Sequence, residues 1–170
     1  QEYTSYINAL AYRDSLTGIK NSTAYTEAIA ELNREILTSN PKFGILVADI
    51  NNLKNTNDKY GHDVGNDLII HTSKILVNTF ENSAVYRIGG DEFVVVIKDD
   101  DFDDYKEMYN WIVENMSKLR IDSYPQLEVS CAYGIATYNP DTDTSFSDVF
   151  QRADKFMYEN KALRNREKQE

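Results

Sequence analysis

One cysteine, three prolines and seven glycines are all that this 170-residue chain holds of the residue types that most often staple or interrupt a small fold. Cys131 on its own forms no internal disulfide, rules out a thiolate zinc cluster and fits a reducing, cytoplasmic setting. Positive charge is also scarce. The chain has 18 Lys and Arg against 28 Asp and Glu, a net charge of −10 and a pI near 4.7. That excludes a broad basic surface for duplex nucleic acid, so no nucleic-acid partner is expected, while a local phosphate pocket stays open. The longest apolar runs, Phe43 to Ala48 and Phe93 to Ile97, fall far short of the roughly 20 residues of a membrane helix. No membrane contact by this domain is expected, and any anchoring is left to other parts of a longer protein. No charged-then-apolar leader opens the chain, whose first residues read as mid-helix, so a piece of a longer polypeptide is expected. With 41% hydrophobic and 12% aromatic residues, the composition suits one globular domain with a sizeable core.

Apolar periodicity supplies the element order. Tyr3, Tyr6, Ile7 and Leu10 recur at helical spacing, and the reading is a linker helix over 1–12 entering from a missing upstream module, with one domain over 13–170. Arg13 to Asn21 is a turn-rich break, after which Ser22 or Thr23 caps a helix running to about Ser39. Phe43 to Ile50 reads as a buried central strand ending at Asp49, and Asn51 to Gly65 as polar and irregular. Val64 to Thr79 keeps helical spacing. Val85 to Ile88 and Glu92 to Ile97 flank Gly89-Gly90, a hairpin signal. An acidic loop, Asp99 to Asp104, precedes a helix to about Leu119. Leu127, Val129, Cys131, Tyr133 and Ile135 alternate as one half-buried strand, and Ser147 caps a last helix. This order predicts an α+β sandwich, a mainly antiparallel sheet flanked by helices.

Two acidic clusters fall where such a fold brings them together: Asp49 at the end of the first strand and Asp91-Glu92 at the hairpin tip. Two or three carboxylates on one spot repel unless a cation neutralises them, and oxygen ligands favour Mg²⁺ or Mn²⁺.

The run Arg87-Ile88-Gly89-Gly90-Asp91-Glu92-Phe93 resembles the signature of the GGDEF family, the diguanylate cyclases. Asp14-Ser15-Leu16-Thr17-Gly18 with Asn21, Asp49-Ile50 through Lys54, Asn57, His62 and Gly65, and Ala153-Asp154 with Met157, Tyr158 and Lys161 resemble it in the same order. The resemblance implies a palm-like, ferredoxin-like fold as in nucleotide cyclases. It also implies an enzyme that condenses two GTP into cyclic di-GMP with release of pyrophosphate, as a homodimer with one GTP per chain and an upstream sensor domain. By the same resemblance Asp49, Asp91 and the Ile50 carbonyl hold two Mg²⁺ or Mn²⁺ ions per site, with Glu92 as further ligand or base. Gly89 and Gly90 let backbone approach the nucleotide without a Cβ in the way. Lys54, Lys161 and Arg164 meet the phosphates, His62 lines the base pocket, and Asn57 reads guanine.

Two departures qualify the resemblance. Where relatives carry Asp for guanine, this chain has Asn66, which offers one acceptor and one donor and faces guanine poorly. Asp67 cannot take over, because one helical step turns the side chain by about 100°. An alternative is therefore a cyclase of relaxed purine choice making cyclic GMP-AMP or cyclic di-AMP, or a catalytically weak GTP-binding regulatory module. A third reading confines Asn66 to capping the helix that begins near Gly65. The second departure is the window Phe80-Glu81-Asn82-Ser83, which lacks the Arg-x-x-Asp of product-inhibited relatives, so no conventional inhibitory site is expected.

Overall fold

Residues 43–48 carry no charge, and a run of that kind needs cover on both of its faces. The computed structural model, which describes residues 1–167, supplies it; the end of the expected domain, 168–170, lies outside the described residues. Strand β1 (Gly44–Ile50) lies inside a four-stranded antiparallel sheet of order β2-β3-β1-β6, with β2 at Ala84–Arg87, β3 at Glu92–Ile97 and β6 at Cys131–Thr137. Side-chain alternation divides β1 between two cores. Leu46, Ala48 and Ile50 join Leu68 and Leu76 of helix α4 (His62–Thr79) and Ile112 of α6 (Tyr105–Asn115). Ile45 and Val47 join Leu32 of α2 (Ser22–Thr38) and Val149 and Ala153 of α7 (Phe146–Glu167). This is the expected α+β, ferredoxin-like sandwich, and the same alternation sends Asp49 to the α7 face.

Gly134 sets how closely α7 approaches. A Cβ there would run into the Ala153 carbonyl oxygen and stand 2.5 Å from the Met157 nitrogen, so only glycine admits the helix at this distance. Close seating on β6 directs the last turns of α7 over the end of β1. At the other end of the chain, α1 (Glu2–Tyr12) leaves Tyr3, Tyr6, Ile7 and Leu10 exposed.

Several elements differ from expectation, each for a local reason. Asn51 to Gly65 is not irregular: Asn52 adopts a left-handed turn at φ 57°, α3 (Leu53–Tyr60) follows, and α4 already begins at His62. Of α3 only Thr56 is buried, so no apolar stripe announces it. The acidic loop contains a short helix, α5 (Asp99–Asp103). The alternating run at 127–135 is two strands. Its first part belongs to β5 (Tyr124–Glu128), paired with β4 (Arg120–Ile121) in a separate two-stranded sheet, and its second part is β6. The chain breaks at Ser130, whose carbonyl accepts from the Asn51 backbone N–H and whose hydroxyl accepts from Asn51 Nδ2 at 2.9 Å. Asn21 caps α2, accepting from the Ala24 N–H at 3.0 Å, in place of Ser22 or Thr23. Ser147 lies within α7, whose entry is closed by Asp148 accepting from Thr144 and Ser145. No helix among the described residues is long and apolar enough to cross a membrane.

Candidate active site

Asp49 is the next-to-last residue of β1, and the hairpin tip lies alongside it. The Ile50 N–H donates to the Asp91 carbonyl at 2.9 Å, which locks the two acidic segments together through the main chain. Asp49 is largely buried, its Oδ1 has no hydrogen-bond partner among the described residues, and its Oδ2 accepts from Lys161 Nζ at 3.3 Å. Burial and the neighbouring Asp91 carboxylate together push Asp49 up to about 6, against the opposing pull of Lys161. Glu92 is the cross-strand partner of Asp49 but is exposed and folds back over the turn; its Oε2 lies 3.1 Å from where a Gly89 Cβ would stand. Two carboxylates converge rather than three, and among the described residues no three His, Cys, Asp or Glu side chains form a metal-ligating group.

The residues present nevertheless fit a hard divalent cation. A buried carboxylate oxygen without a donor, beside a second carboxylate, is a site short of positive charge, and oxygen ligands suit Mg²⁺ or Mn²⁺. The Asp49 and Asp91 side chains, with the Ile50 carbonyl of the same bonded segments, are the groups that could supply them.

The turn between β2 and β3 is shaped by Arg87. Its Nη2 and Nε donate to the Gly90 carbonyl at 2.9 and 3.3 Å, and its Nη1 donates to both oxygens of Asp14 at 3.1 and 3.2 Å. Asp14 also accepts from the Thr17 N–H and hydroxyl, and these bonds together with Arg87 hold its carboxyl below the usual range despite the opposing effect of burial. Neither Gly89 nor Gly90 has a positive φ, so the turn does not need glycine for its conformation. Gly90 faces open space, and a side chain there would occupy the approach to the carboxylates.

The helices that follow β1, α3 and α4, carry the other expected residues. Lys54 is exposed in the first turn of α3 and forms no ion pair among the described residues. Asn57 packs on Gly65 so tightly that a Cβ at residue 65 would overlap its side-chain oxygen. His62 and Asn66, both exposed, are four residues apart on α4 and so share a face. Because α4 starts at His62, Asn66 is inside the helix and caps nothing, which removes the capping reading. The Asp67 carboxylate is engaged by the Ser123 hydroxyl at 2.5 Å, on a different face. On α7, Arg164 follows Lys161 by three residues and donates to the Cys131 carbonyl at 3.0 Å. The structure thus brings Asp49, Asp91, Ile50 and Lys161 together and leaves Lys54, His62 and Asn66 exposed on the neighbouring helices. The window at 80–83 is closed on itself: Phe80 is buried, and the buried Asp101 accepts from the Asn82 N–H and side chain and from the Ser83 hydroxyl. A buried carboxylate at that turn opposes an anionic ligand. Asp14, Arg87 and Asp101 are the positioning residues that sequence reasoning missed. Asp14 and Arg87 were visible only as motif members, and nothing in the sequence marked Asp101.

The profile of a family described as "Diguanylate cyclase, GGDEF domain" matches residues 11–167. The chain is 28% identical over 167 residues to the probable diguanylate cyclase DgcC of Escherichia coli K12, covering 97% of this chain and 45% of that protein. It is 29% identical over 153 residues to the bifunctional diguanylate cyclase/cyclic di-GMP phosphodiesterase MucR of Pseudomonas aeruginosa, covering 89% of this chain and 22% of that protein. The chain therefore spans less than half the length of these relatives. Among solved structures, the coiled coil and GGDEF domain of DgcB from Caulobacter crescentus, in complex with c-di-GMP, superimposes with a TM-score of 0.82 at 22% identity, over 95% of this chain and 86% of that one.

The raised Asp49 pKa makes stability depend on pH and on divalent cations. Between about pH 4 and 6 the folded chain retains a proton that the unfolded chain has released, so the contribution of Asp49 to stability falls as pH rises through that window. Above pH 6 the cost of the ionised carboxylate is complete, about 3 kcal/mol from the shift alone and about 1–2 kcal/mol after solvent screening of a partly open group. Asp49→Asn should therefore melt a few degrees higher than the parent at pH 7.5 in chelator, with the difference closing near pH 4, and Mg²⁺ should raise the melting temperature of the parent only. Thermal melts across pH with and without Mg²⁺ check this; an Asp49→Asn chain that melts lower at pH 7.5 contradicts it.

Proposed function

The chain belongs to the GGDEF family, and on that premise we propose that it is the catalytic module of a diguanylate cyclase, joining two GTP into cyclic di-GMP. The observation that carries this reading is the Asp49–Asp91 pair, with a buried Asp49 oxygen unpartnered among the described residues, lying beside an open glycine turn and balanced by Lys161 alone among the described residues. Two Mg²⁺ or Mn²⁺ ions on Asp49, Asp91 and the Ile50 carbonyl would supply neutralisation of the triphosphate and a lowered pKa for the attacking 3′-hydroxyl. The protein's own groups do the rest. Lys161, which balances Asp49 here, turns to the triphosphate once that charge is balanced otherwise, and Lys54 meets the phosphates from α3. Arg164, with one donor on the Cys131 carbonyl, keeps other donors for the same phosphates. Gly89 and Gly90 leave room for the nucleotide, and Glu92 acts as ligand or base. Asn57 and His62 line the base pocket.

Each chain holds one GTP, so turnover requires two chains face to face. The exposed Tyr3, Tyr6, Ile7 and Leu10 on α1 form a stripe suited to continuing a linker helix from an upstream sensor, and three turns alone hold two chains weakly. Asp91→Asn should reduce cyclic di-GMP formation by at least about a hundredfold, since it removes a charged ligand from a site built on charge neutralisation. Parent specific activity should rise with protein concentration and again on fusion to a strong parallel coiled coil. Chromatographic product analysis checks both; near-normal Mg²⁺-dependent activity in Asp91→Asn, or concentration-independent rates from a verified monomer, would overturn the reading.

Asn66 favours a second reading, relaxed purine choice. It lies on the His62 face of α4 and has no capping duty, so its amide is free to meet a base. Its donor facing a donor of guanine costs about 1–3 kcal/mol. Asn66→Asp should raise the GTP/ATP rate ratio by roughly one to two orders of magnitude with little change in melting temperature. A flat ratio in competition assays with mixed nucleotides would remove relaxed purine choice.

A further inference from the structure

β6 is an edge strand, and side chains of α7 cover its free edge in a regular pattern that fails at one step. The Tyr138 N–H donates to the Phe43 carbonyl at 3.0 Å and the Asn51 N–H to the Ser130 carbonyl at 2.8 Å, so the even-numbered residues between 130 and 138 face β1. The odd-numbered residues turn their N–H and carbonyl groups to the free edge. Three of those carbonyls are capped from α7: Cys131 by Arg164 at 3.0 Å, Tyr133 by Asn160 at 3.2 Å and Thr137 by Arg152 at 2.7 Å. Four residues of helix advance about 6 Å and two residues of strand about 6.6 Å, so the row 152, 156, 160, 164 keeps step with 137, 135, 133, 131. Phe156 stands at the step that belongs to Ile135, and a phenyl ring has no proton to donate to a carbonyl. Among the described residues no group bonds to the Ile135 N–H or carbonyl.

An open cleft of about 660 Å³ lies at this gap, with Ile135, Thr137, Arg152, Lys155, Phe156 and Glu159 in its lining and Phe156 41% exposed. Its charges are already matched: Arg152 pairs with Asp143, and Lys155 with Glu159 at 3.9 Å. None of Asp49, Asp91, Lys54, Lys161 and Arg164 lines it, and Ile135 pairs with Leu46, three residues along β1 from Asp49.

We propose that this gap is a binding site for a small, neutral, planar lactam, which sets its adjacent N–H and C=O against the Ile135 carbonyl and N–H and its ring against Phe156. One free residue on a strand edge asks for one donor beside one acceptor, and a cyclic amide carries both on one edge. An extended peptide adding to the strand needs successive rungs, and the carbonyls on either side are taken by Asn160 and Arg152. Matched charge on the rim selects a neutral ring over an anion. The exposed phenyl face supplies the apolar contact that small-molecule sites use. The site does not rest on the cyclase reading.

The probe is 2-quinolinone, a neutral bicyclic lactam, titrated into the isotopically labelled, folded chain and followed by backbone amide NMR shifts. Saturable binding of one molecule per chain is expected, with the Ile135 amide among those that move most. 1-Methyl-2-quinolinone keeps the ring and the carbonyl but lacks the N–H, and should bind at least about tenfold more weakly. Phe156→Asn places an amide at the open step, where it caps Ile135 as Asn160 caps Tyr133, and should abolish binding. Thermal melts show whether that variant is folded, and the methylated probe on the parent chain decides the matter if it is not. Unsaturable binding, equal affinity for the two probes, undiminished binding to folded Phe156→Asn, or shifts centred on Asn57 and Asn66 instead of Ile135 would overturn the site.

Discussion

Two carboxylates held against each other at one end of a sheet, one of them largely buried, are an unfavourable arrangement, and much of this molecule serves to enforce it. Asp49 and Asp91 could separate if the end of β1 or the hairpin tip were loose. Neither is. The Ile50-to-Asp91 backbone bond joins them, and the pairing of β1 with β3 and β6 fixes β1 from both sides. Arg87 clamps the turn to Asp14, and Gly134 lets α7 sit low enough for Lys161 to reach Asp49. The stress is recorded in the raised pKa of Asp49 and its unpartnered oxygen. Stored electrostatic cost of this kind is characteristic of sites whose charge is completed by something that binds.

The layout also explains why the site lies at this end of the sheet. β1 and β2 run parallel with β3 antiparallel between them, so the exit of β1 and the β2–β3 turn meet at one edge of the sandwich. The left-handed turn at Asn52 then starts α3 at once, bringing Lys54 and Asn57 alongside without a long loop. Asn57 packed against Gly65 fixes α3 on α4, and so sets where His62 and Asn66 stand relative to the carboxylates.

Legibility in the sequence followed where the physical signal was local. The end of a charge-free strand at Asp49 and the glycine pair before Asp91 are local features, and both fall where expected. So do α2, α4, α6 and α7, whose apolar stripes have helical period. α3 escaped because it buries almost nothing, leaving no stripe to read. The run at 127–135 misled because its alternation continues across Ser130 while the chain passes from one sheet to another; only the Asn51–Ser130 bonds mark the change, and they span 79 residues. The Arg87–Asp14 pair, 73 residues apart, is equally invisible to local pattern. Lys161 was reached through family resemblance, since a lysine on a terminal helix has no signature of its own.

Isothermal titration calorimetry of Mg²⁺ into the nucleotide-free chain, run near pH 6 in buffers of different ionisation enthalpy, tests most directly whether the carboxylate pair is built for a cation. With the Asp49 pKa pushed up to about 6, a cation on that carboxylate must expel its proton. The account predicts a measurable fraction of a proton released per site in the parent, fading above about pH 7.5 and lost in Asp49→Asn. Binding without proton release near pH 6, or release that survives in Asp49→Asn, would contradict it.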